Sequence, residues 1–344
     1  MQKADLNFSE LPFSFIPTDY NIRYTFKDGA WDKGVLTQDQ TLPLHISATC
    51  LHYGQQLFEG LKVYERPDGQ AQVFRIEQNS KRMNRGADKI LMQQVPEDLF
   101  IEAVFRVVNA NRKFIPPHHA GGAAMYVRPI LLGTGIQLGV SPSSEYTFIV
   151  FVSPVGPYYK SGFAPVHLMV EENVDRAAAL GVGDIKVAGN YAAGMRATIG
   201  AKKKGFSEVL YLDSRYKKFL DESGSSNFFG VTADNRYVTP ASPSILPSIT
   251  NMSVQQIAKD QGITVEARQV EVEELADFTE AGCCGTAAVI SPVGSVTHGD
   301  KKFEYCKGDQ VGPIVTNLYK TLSGIQFGTV EDTHAWTRIV PQDI

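Results

Sequence analysis

The chain has 344 residues, 43% of them apolar and 20% charged, with 33 Lys and Arg against 37 Asp and Glu for a formal net charge of -4. That balance excludes a disordered tail or a miniprotein, and it lacks the Lys and Arg excess that a nucleic-acid-binding face needs. At roughly 100 to 200 residues per domain, two domains are expected, each large enough to bury its own core.

No apolar run approaches the ~20 residues that span a bilayer, and the longest, 148–152, has strand length. No membrane partner is expected. The first fifteen residues mix Lys3 with Asp5 and Glu10, a layout of neither a signal peptide nor a transit peptide, so a cytoplasmic protein is expected. Four cysteines, Cys50, Cys283, Cys284 and Cys306, are too few and scattered for a disulfide framework and suit a reducing compartment. Adjacent Cys283 and Cys284 read as small buried core residues. His118 and His119 follow Pro116-Pro117 with no carboxylate or cysteine at ligand spacing, and no metal is expected there.

In chain order, Val63-Tyr64 and 71–74 flank Arg66-Pro67-Asp68-Gly69, which predicts a hairpin. A polar helix is predicted over 78–91. A second opens at Pro96-Glu97-Asp98 and carries Leu99, Ala103, Val104, Val107 and Val108 on one face. Strands are predicted at 123–132 and 146–152. Between them Gly133, Gly135 and Gly139 imitate a dinucleotide fingerprint, but the last glycine comes one residue late and no helix follows, so a loop is expected. The Pro- and Gly-rich stretch 154–162 marks a domain connection. The expected division is an N-terminal α/β domain, 1–156, a linker, 157–164, and a C-terminal domain, 165–344.

In the second half a helix over 190–204 ends in three lysines and Gly205, which suit the negative end of its dipole and a glycine cap. Strands are predicted at 208–212, 227–231 and 263–272. Thr250 or Asn251 is expected to cap a helix bearing Val254, Ile257 and Ala258 and stopped by Gly262. A last amphipathic helix carries Val311, Ile314, Val315, Leu318, Leu322 and Ile325.

Four segments could carry chemistry. Lys186 stands alone among small and apolar residues just before a helix. Burial would lower its proton affinity and free its amine as a nucleophile, although a solvated turn lysine would look the same. Asp221-Glu222 sits in a small-residue turn before an apolar strand. A carboxylate there could hold a heterocyclic nitrogen protonated or simply end the turn. Leu246-Pro-Ser248-Ile249-Thr250 leads into a helix whose free amides could seat a phosphate or be an ordinary helix start. Gly285-Thr286-Ala287-Ala288 is a turn after an apolar strand. An amine, a carboxylate and a phosphate seat together are what pyridoxal 5'-phosphate requires.

From about residue 20 to 336 the chain resembles the branched-chain amino acid aminotransferases, fold-type IV pyridoxal phosphate enzymes. The resemblance lies in His52-Tyr53-Gly54, Phe58-Glu59-Gly60-Leu61-Lys62-Val63-Tyr64, Val73-Phe74-Arg75, Tyr126-Val127-Arg128-Pro129 and Ser153-Pro154-Val155-Gly156-Pro157-Tyr158. It continues in Lys186-Val-Ala-Gly-Asn-Tyr191, Glu222 with Asn227, Leu246-Pro247 and Gly285-Thr286-Ala287-Ala288. It implies a smaller N-terminal α/β domain, a larger C-terminal cofactor-binding domain with a barrel-like sheet, the cofactor between them, and a homodimer.

By this resemblance Lys186 is the lysine joined to the cofactor's aldehyde and the base of the reaction. Glu222 faces the ring nitrogen and Tyr191 the phenolic oxygen. Arg75, the amides of Ile249 and Thr250, the Leu246–Ser248 loop and Thr286 hold the phosphate. Phe58, Tyr191, Tyr158 and the partner subunit's Tyr53 line an apolar pocket. Tyr126, Thr286 and the backbone of Ala287 meet the α-carboxylate, and Arg128 reaches the distal carboxylate of glutamate. The implied reaction passes the amino group of L-leucine, L-isoleucine or L-valine to 2-oxoglutarate in a ping-pong cycle, giving 2-oxo acids and glutamate. D-amino acid aminotransferases, aminodeoxychorismate lyases and a catalytically silent scaffold are the alternatives of the same fold. Tyr126-Val-Arg128 and the aromatic pocket favour the branched-chain group. Two departures stand out: Ala288-Val289-Ile290-Ser291 replaces the redox cysteines of some animal relatives, and Ser248 stands where many relatives have glycine.

Overall fold

Two sheets organise the chain in the computed structural model, which describes residues 2–158 and 162–342. Residues 159–161, within the expected linker 157–164, lie outside the described residues. One compact unit comprises 1–160, 185–188 and 324–344, and the other 161–184 and 189–323. Two short segments thus return to the first unit from far along the chain. One is Thr337–Ile339, which pairs antiparallel with Ala71–Phe74, and the other is Val187, which bridges Leu57.

Among the described residues the first unit holds a nine-stranded sheet. Its main order runs Thr337–Ile339, Ala71–Phe74, Leu61–Glu65, Ala124–Gly133, Tyr146–Val155, Asn21–Lys27 and Ala30–Trp31. The predicted hairpin is present, with Val63 opposite Val73. Along Ala124–Gly133 burial alternates strictly from Met125 onward, as the period of two requires. Met125, Val127 and Leu131 therefore enter the core, and Tyr126, Arg128 and Ile130 line the opposite face. Two helices, Ile76–Lys89 and Glu97–Ala110, cover the core face. They bring Ile76, Met83, Phe100, Val104 and Val107 against Val63, Val127, Phe148 and Val150. Phe100 stacks on Phe148 with centroids 5.7 Å apart. Burying a side chain of this size contributes about 1.5–3 kcal/mol each.

Among the described residues the second unit holds another nine-stranded sheet. Leu220–Ser223, Glu208–Leu212, Val166–Glu171, Val289–His298, Phe278–Gly285, Asn227–Thr232, Arg236–Pro240 and Thr264–Arg268 follow one another across it. Parallel neighbours need a crossover, and helices supply two. The helix Ala188–Lys203 precedes Glu208–Leu212, which lies parallel to Val166–Glu171. Ile249–Asp260 joins Arg236–Pro240 to its parallel neighbour Thr264–Arg268. Mixed helices and strands thus build each unit around one sheet, in keeping with the α/β architecture that the resemblance implies.

Some expectations shift. The strand predicted over 263–272 stops at Arg268, and Val272–Asp277 is a 3-10 helix. A capping box between Glu271 and Glu274, with Arg268 paired to Glu274 at 2.7 Å, draws the chain out of the ladder. Glu222 lies within the strand Leu220–Ser223 rather than in a turn. The helix expected to be capped by Thr250 or Asn251 begins earlier: Ser248 is its cap, its hydroxyl accepting the Asn251 N–H at 3.1 Å. Lys202, Lys203 and Lys204 form an exposed helix end, with the Gly205 φ at +87°. Cys283 and Cys284 are buried on Phe278–Gly285. Among the described residues no helix is long and apolar enough to cross a membrane, and no group of three metal-ligating side chains gathers.

Candidate active site

In the first unit, Lys186 sits in the short link between a turn at 181–184 and the helix Ala188–Lys203. Its carbonyl accepts the Phe58 N–H at 3.2 Å, and its Nζ lies 4.6 Å from the centre of the Phe58 ring. Loss of hydration around the amine, helped by the positive charge of Arg82, lowers the lysine to about 8, although Glu59 and Tyr126 pull the other way. The residue as a whole is half-buried.

Tyr126 and Arg128 share the face opposite the core. The Arg128 guanidinium lies over Phe58 at 4.8 Å and over Tyr126 at 5.1 Å, and its Nη2 donates to the Tyr126 hydroxyl at 3.1 Å. Gly60 makes room for that hydroxyl: a Cβ at position 60 would stand 2.0 Å from it. Phe13 meets Tyr126 edge-on at 5.5 Å and Tyr158 at 5.1 Å. One aromatic that sequence reasoning missed therefore connects two that it named.

Arg75 immediately precedes the helix Ile76–Lys89 with φ 50° and ψ 41°. A left-handed arginine is uncommon, and here its N–H donates to the Trp336 carbonyl at 2.7 Å while its guanidinium lies 5.0 Å from the indole. Burial lowers its proton affinity against the pull of Asp332, and it stays charged. Tyr53 stands apart. It follows the helix Thr49–His52, is 37% exposed, and donates its hydroxyl to the Leu138 carbonyl.

In the second unit the strand Leu220–Ser223 buries two consecutive carboxylates on opposite faces. Asp221 accepts hydrogen bonds from the Ser242 and Ser244 hydroxyls, each at 2.7 Å. Glu222 is 6% exposed, and its Oε1 takes the Arg176 Nη1 at 2.8 Å and, more weakly, the Leu246 N–H at 3.4 Å. The Arg176 Nη2 donates to the carbonyls of Gly183, at 3.1 Å, and Ser244. The Arg176 Nε is buried with no hydrogen-bond partner. Nothing local in Asn173-Val-Asp-Arg176 announces this role, which only the tertiary fold creates.

The helix Ile249–Asp260 starts beside this carboxylate loop. Ser248 caps it, Ile249 and Thr250 are buried in its first turn, and Asn251 ties it down by accepting from the Tyr237 hydroxyl at 2.6 Å. The first amides of a helix have no intrahelical partner, so those of Ile249 and Thr250 are suited to an anion. Thr286 and Ala287 occupy the turn between Phe278–Gly285 and Val289–His298, and Gly285 just before them lies against Ser225 and Ser226. Val289 there has φ 63°, an outlier for a β-branched residue. Tyr191 lies partly buried in the first turns of Ala188–Lys203.

The first unit thus gathers Lys186, Phe58, Tyr126 and Arg128, with Tyr158 linked through Phe13. The second gathers Glu222 and Leu246 to Thr250, with Thr286 and Ala287 in a turn of the same sheet. The first unit offers an amine of low proton affinity, and the second an oriented carboxylate and a helix start. The family model for amino-transferase class IV matches residues 56–296, and the chain belongs to that family. The branched-chain-amino-acid aminotransferase of Haemophilus influenzae is 45% identical, covering 96% of this chain and 98% of its own length. By that likeness the chain belongs with the branched-chain-amino-acid aminotransferases. A solved branched-chain amino acid aminotransferase from Escherichia coli is similar at TM-score 0.77 and 26% identity, over 94% of this chain and all of that one. The branched-chain amino acid aminotransferase from Thermobaculum terrenum, solved in its PLP-form, is similar in fold, at TM-score 0.78 and 23% identity, with coverage of 94% and 99%.

Proposed function

We propose that this aminotransferase moves the amino group of L-leucine, L-isoleucine or L-valine to 2-oxoglutarate, with pyridoxal 5'-phosphate as cofactor. The observation that carries the reading is the Lys186 amine, held to about 8 beside Phe58 and Arg128. When bound, the cofactor supplies an aldehyde that carries the amino group and a ring that absorbs the electrons left by a departing proton.

The chain's own residues do the rest. The Lys186 Nζ, neutral for a large fraction of molecules near pH 8, takes the α-proton of the substrate and later returns a proton. Glu222, anchored by Arg176, serves the ring nitrogen, and Tyr191 the phenolic oxygen. Arg75, the amides of Ile249 and Thr250, the Leu246–Ser248 loop and Thr286 hold the phosphate. Ser248 contributes backbone, since its hydroxyl caps the helix. Tyr126, Thr286 and the Ala287 backbone receive the α-carboxylate.

One site must accept both leucine and glutamate. Phe58, Tyr158, Tyr191 and Tyr53 of the partner subunit provide the apolar wall, and Arg128 provides a charge at its edge for the second carboxylate. Arg128 is suited to this because stacking on Phe58 and Tyr126 fixes its plane while its buried Nε has no hydrogen-bond partner. The homodimer is supported by exposed Ile46, Leu51, Ile136, Leu138 and Val140 around Tyr53, an apolar surface that a second copy would cover. We assign most cofactor contacts to 165–344 and the protein to the cytoplasm.

The test is the visible spectrum of the purified protein. L-leucine bleaches the cofactor band, 2-oxoglutarate restores it, and D-leucine does neither. Lys186→Ala loses turnover by about ten-thousand-fold. Near-normal leucine turnover in that variant would overturn the assignment.

A further inference from the structure

Arg75, to which the reading above gives the phosphate, is gripped by a segment from far along the chain that the same unit contains. Thr337 pairs with Phe74 at the end of the ladder between Thr337–Ile339 and Ala71–Phe74. One residue further on, the Arg75 N–H donates to the Trp336 carbonyl at 2.7 Å. There both chains leave the sheet through the left-handed region, Arg75 at φ 50° and Ala335 at φ 53°. Residues other than glycine rarely adopt that backbone, and it persists where the surroundings over-determine it.

The surroundings here are aromatic. The Arg75 guanidinium lies over the Trp336 ring, 5.0 Å from its centre. Phe74 meets the same indole edge-on at 5.8 Å, and the His334 ring stacks on it at 4.7 Å. Asp332 closes the segment on itself. One of its carboxylate oxygens accepts the Thr337 N–H at 2.7 Å and the Thr337 hydroxyl at 2.8 Å, and the other accepts the His334 N–H at 3.3 Å. The indole is therefore fixed by a short closed turn and by two flanking rings.

An aromatic face attracts a guanidinium without neutralising its charge. Stacking engages the face of that group, whereas a phosphate is met by the N–H groups at its edge. Ordering a long arginine side chain costs rotamer freedom, and an indole that already holds the guanidinium removes that cost from anion binding.

We propose that Trp336 is a positioning residue for the cofactor's phosphate: its indole presets the plane of the Arg75 guanidinium. This rests on the assignment of the phosphate to Arg75 and adds the residue that orients it.

The experiment uses full-length wild type, Trp336→Phe and Trp336→Leu, freed of cofactor. Each is titrated with pyridoxal 5'-phosphate and with pyridoxal, which lacks the phosphate, and the absorbance of the bound ligand is followed. Trp336→Leu is expected to weaken pyridoxal 5'-phosphate about tenfold and to leave pyridoxal unchanged. Trp336→Phe keeps a ring of weaker attraction and is expected to lose about threefold, again for the phosphorylated ligand alone. Equal losses for both ligands would make Trp336 a purely structural residue, and unchanged affinities would mean that the indole orients nothing; either result overturns the proposal. Should Trp336→Leu fail to fold, Trp336→Phe carries the test, and the absence of a phosphate-selective loss in it overturns the idea. Arg75→Leu separates this proposal from the reading beneath it. Undiminished pyridoxal 5'-phosphate affinity in Arg75→Leu overturns the assignment of the phosphate to Arg75, whereas a loss there beside an unaffected Trp336→Leu overturns the role of Trp336 alone. Adding Trp336→Leu to Arg75→Leu is expected to lower the affinity no further, and a second full loss in that double variant also overturns the proposal.

Discussion

Two buried glutamate–arginine pairs, one in each unit, are built differently. In the first unit Arg82 commits its fork to both oxygens of Glu59. Asn79 and the Gly60 N–H also donate to that carboxylate. In the second unit Arg176 addresses a single oxygen of Glu222 and gives its remaining contacts to the carbonyls of Gly183 and Ser244. That arginine is a spoke joining a carboxylate to two loops. The same residue types thus make a two-pronged pair in one place and a branched junction in the other.

The comparison breaks most readily at Arg176. Removing it leaves a buried carboxylate and two carbonyls without their shared donor, and breaking such a pair costs about 3–5 kcal/mol. Arg176→Met is expected to lose that much in denaturant unfolding and to bind the cofactor poorly. Arg176→Lys keeps the charge without the fork and falls between. An unchanged unfolding midpoint in Arg176→Met would mean that the guanidinium does not organise the loops.

Gly60→Ala probes the face of the first unit to which we assign substrate binding. The added methyl would meet the Tyr126 hydroxyl at 2.0 Å, so the ring must move and Arg128 must lose its partner. Leucine KM is expected to rise roughly tenfold, a loss of about 1.4 kcal/mol, with a smaller fall in kcat. A stability loss with unchanged KM would place Tyr126 outside substrate binding.

A second lysine sharpens the meaning of the first. Lys62, 5% exposed on Leu61–Glu65, is also held to about 8, by desolvation alone. Both lysines have folded values below the unfolded 10.5. Between about pH 8 and 10 the unfolded chain therefore binds more protons, and stability rises with pH in that window. Below it, each lysine stays charged at a cost. Lys62→Met is expected to stabilise the protein at pH 7 by about 2 kcal/mol and to flatten the rise. Unfolding in denaturant at pH 7, 8, 9 and 10 measures both.

How much of this could be read from the chain depends on whether a feature is local. Periodicity and turn chemistry located the hairpin at 66–69, the helix after Pro96 and the alternating strand around Tyr126, because each is decided by neighbours within a few residues. Lys186 and Glu222 stood out as charges embedded among small residues. Arg176 and Phe13 did not, since an arginine becomes a buried spoke, and a phenylalanine a link between two tyrosines, only when distant segments meet. Glu59 lay in a recognisable stretch, yet its partner is 23 residues away on a helix whose polar composition reads as a solvated surface. The start of the helix at 249 was misjudged because Ser248, Thr250 and Asn251 are all good caps, and the choice among them follows from the Asn251 side chain being claimed by Tyr237 and Thr239.

That last choice yields the smallest effect. If the Ser248 hydroxyl serves the Asn251 amide, as the 3.1 Å contact shows, Ser248→Ala costs about 1 kcal/mol of stability and Ser248→Gly only a few tenths. Cofactor affinity should hardly change in either, because the amides of Ile249 and Thr250 keep their places. A large fall in affinity with unchanged stability would instead assign the hydroxyl to the phosphate, and the helix would need another cap. Unfolding midpoints and cofactor titrations of the two variants separate these outcomes, and with them whether the proposed phosphate seat of the second unit is backbone alone or includes a side chain.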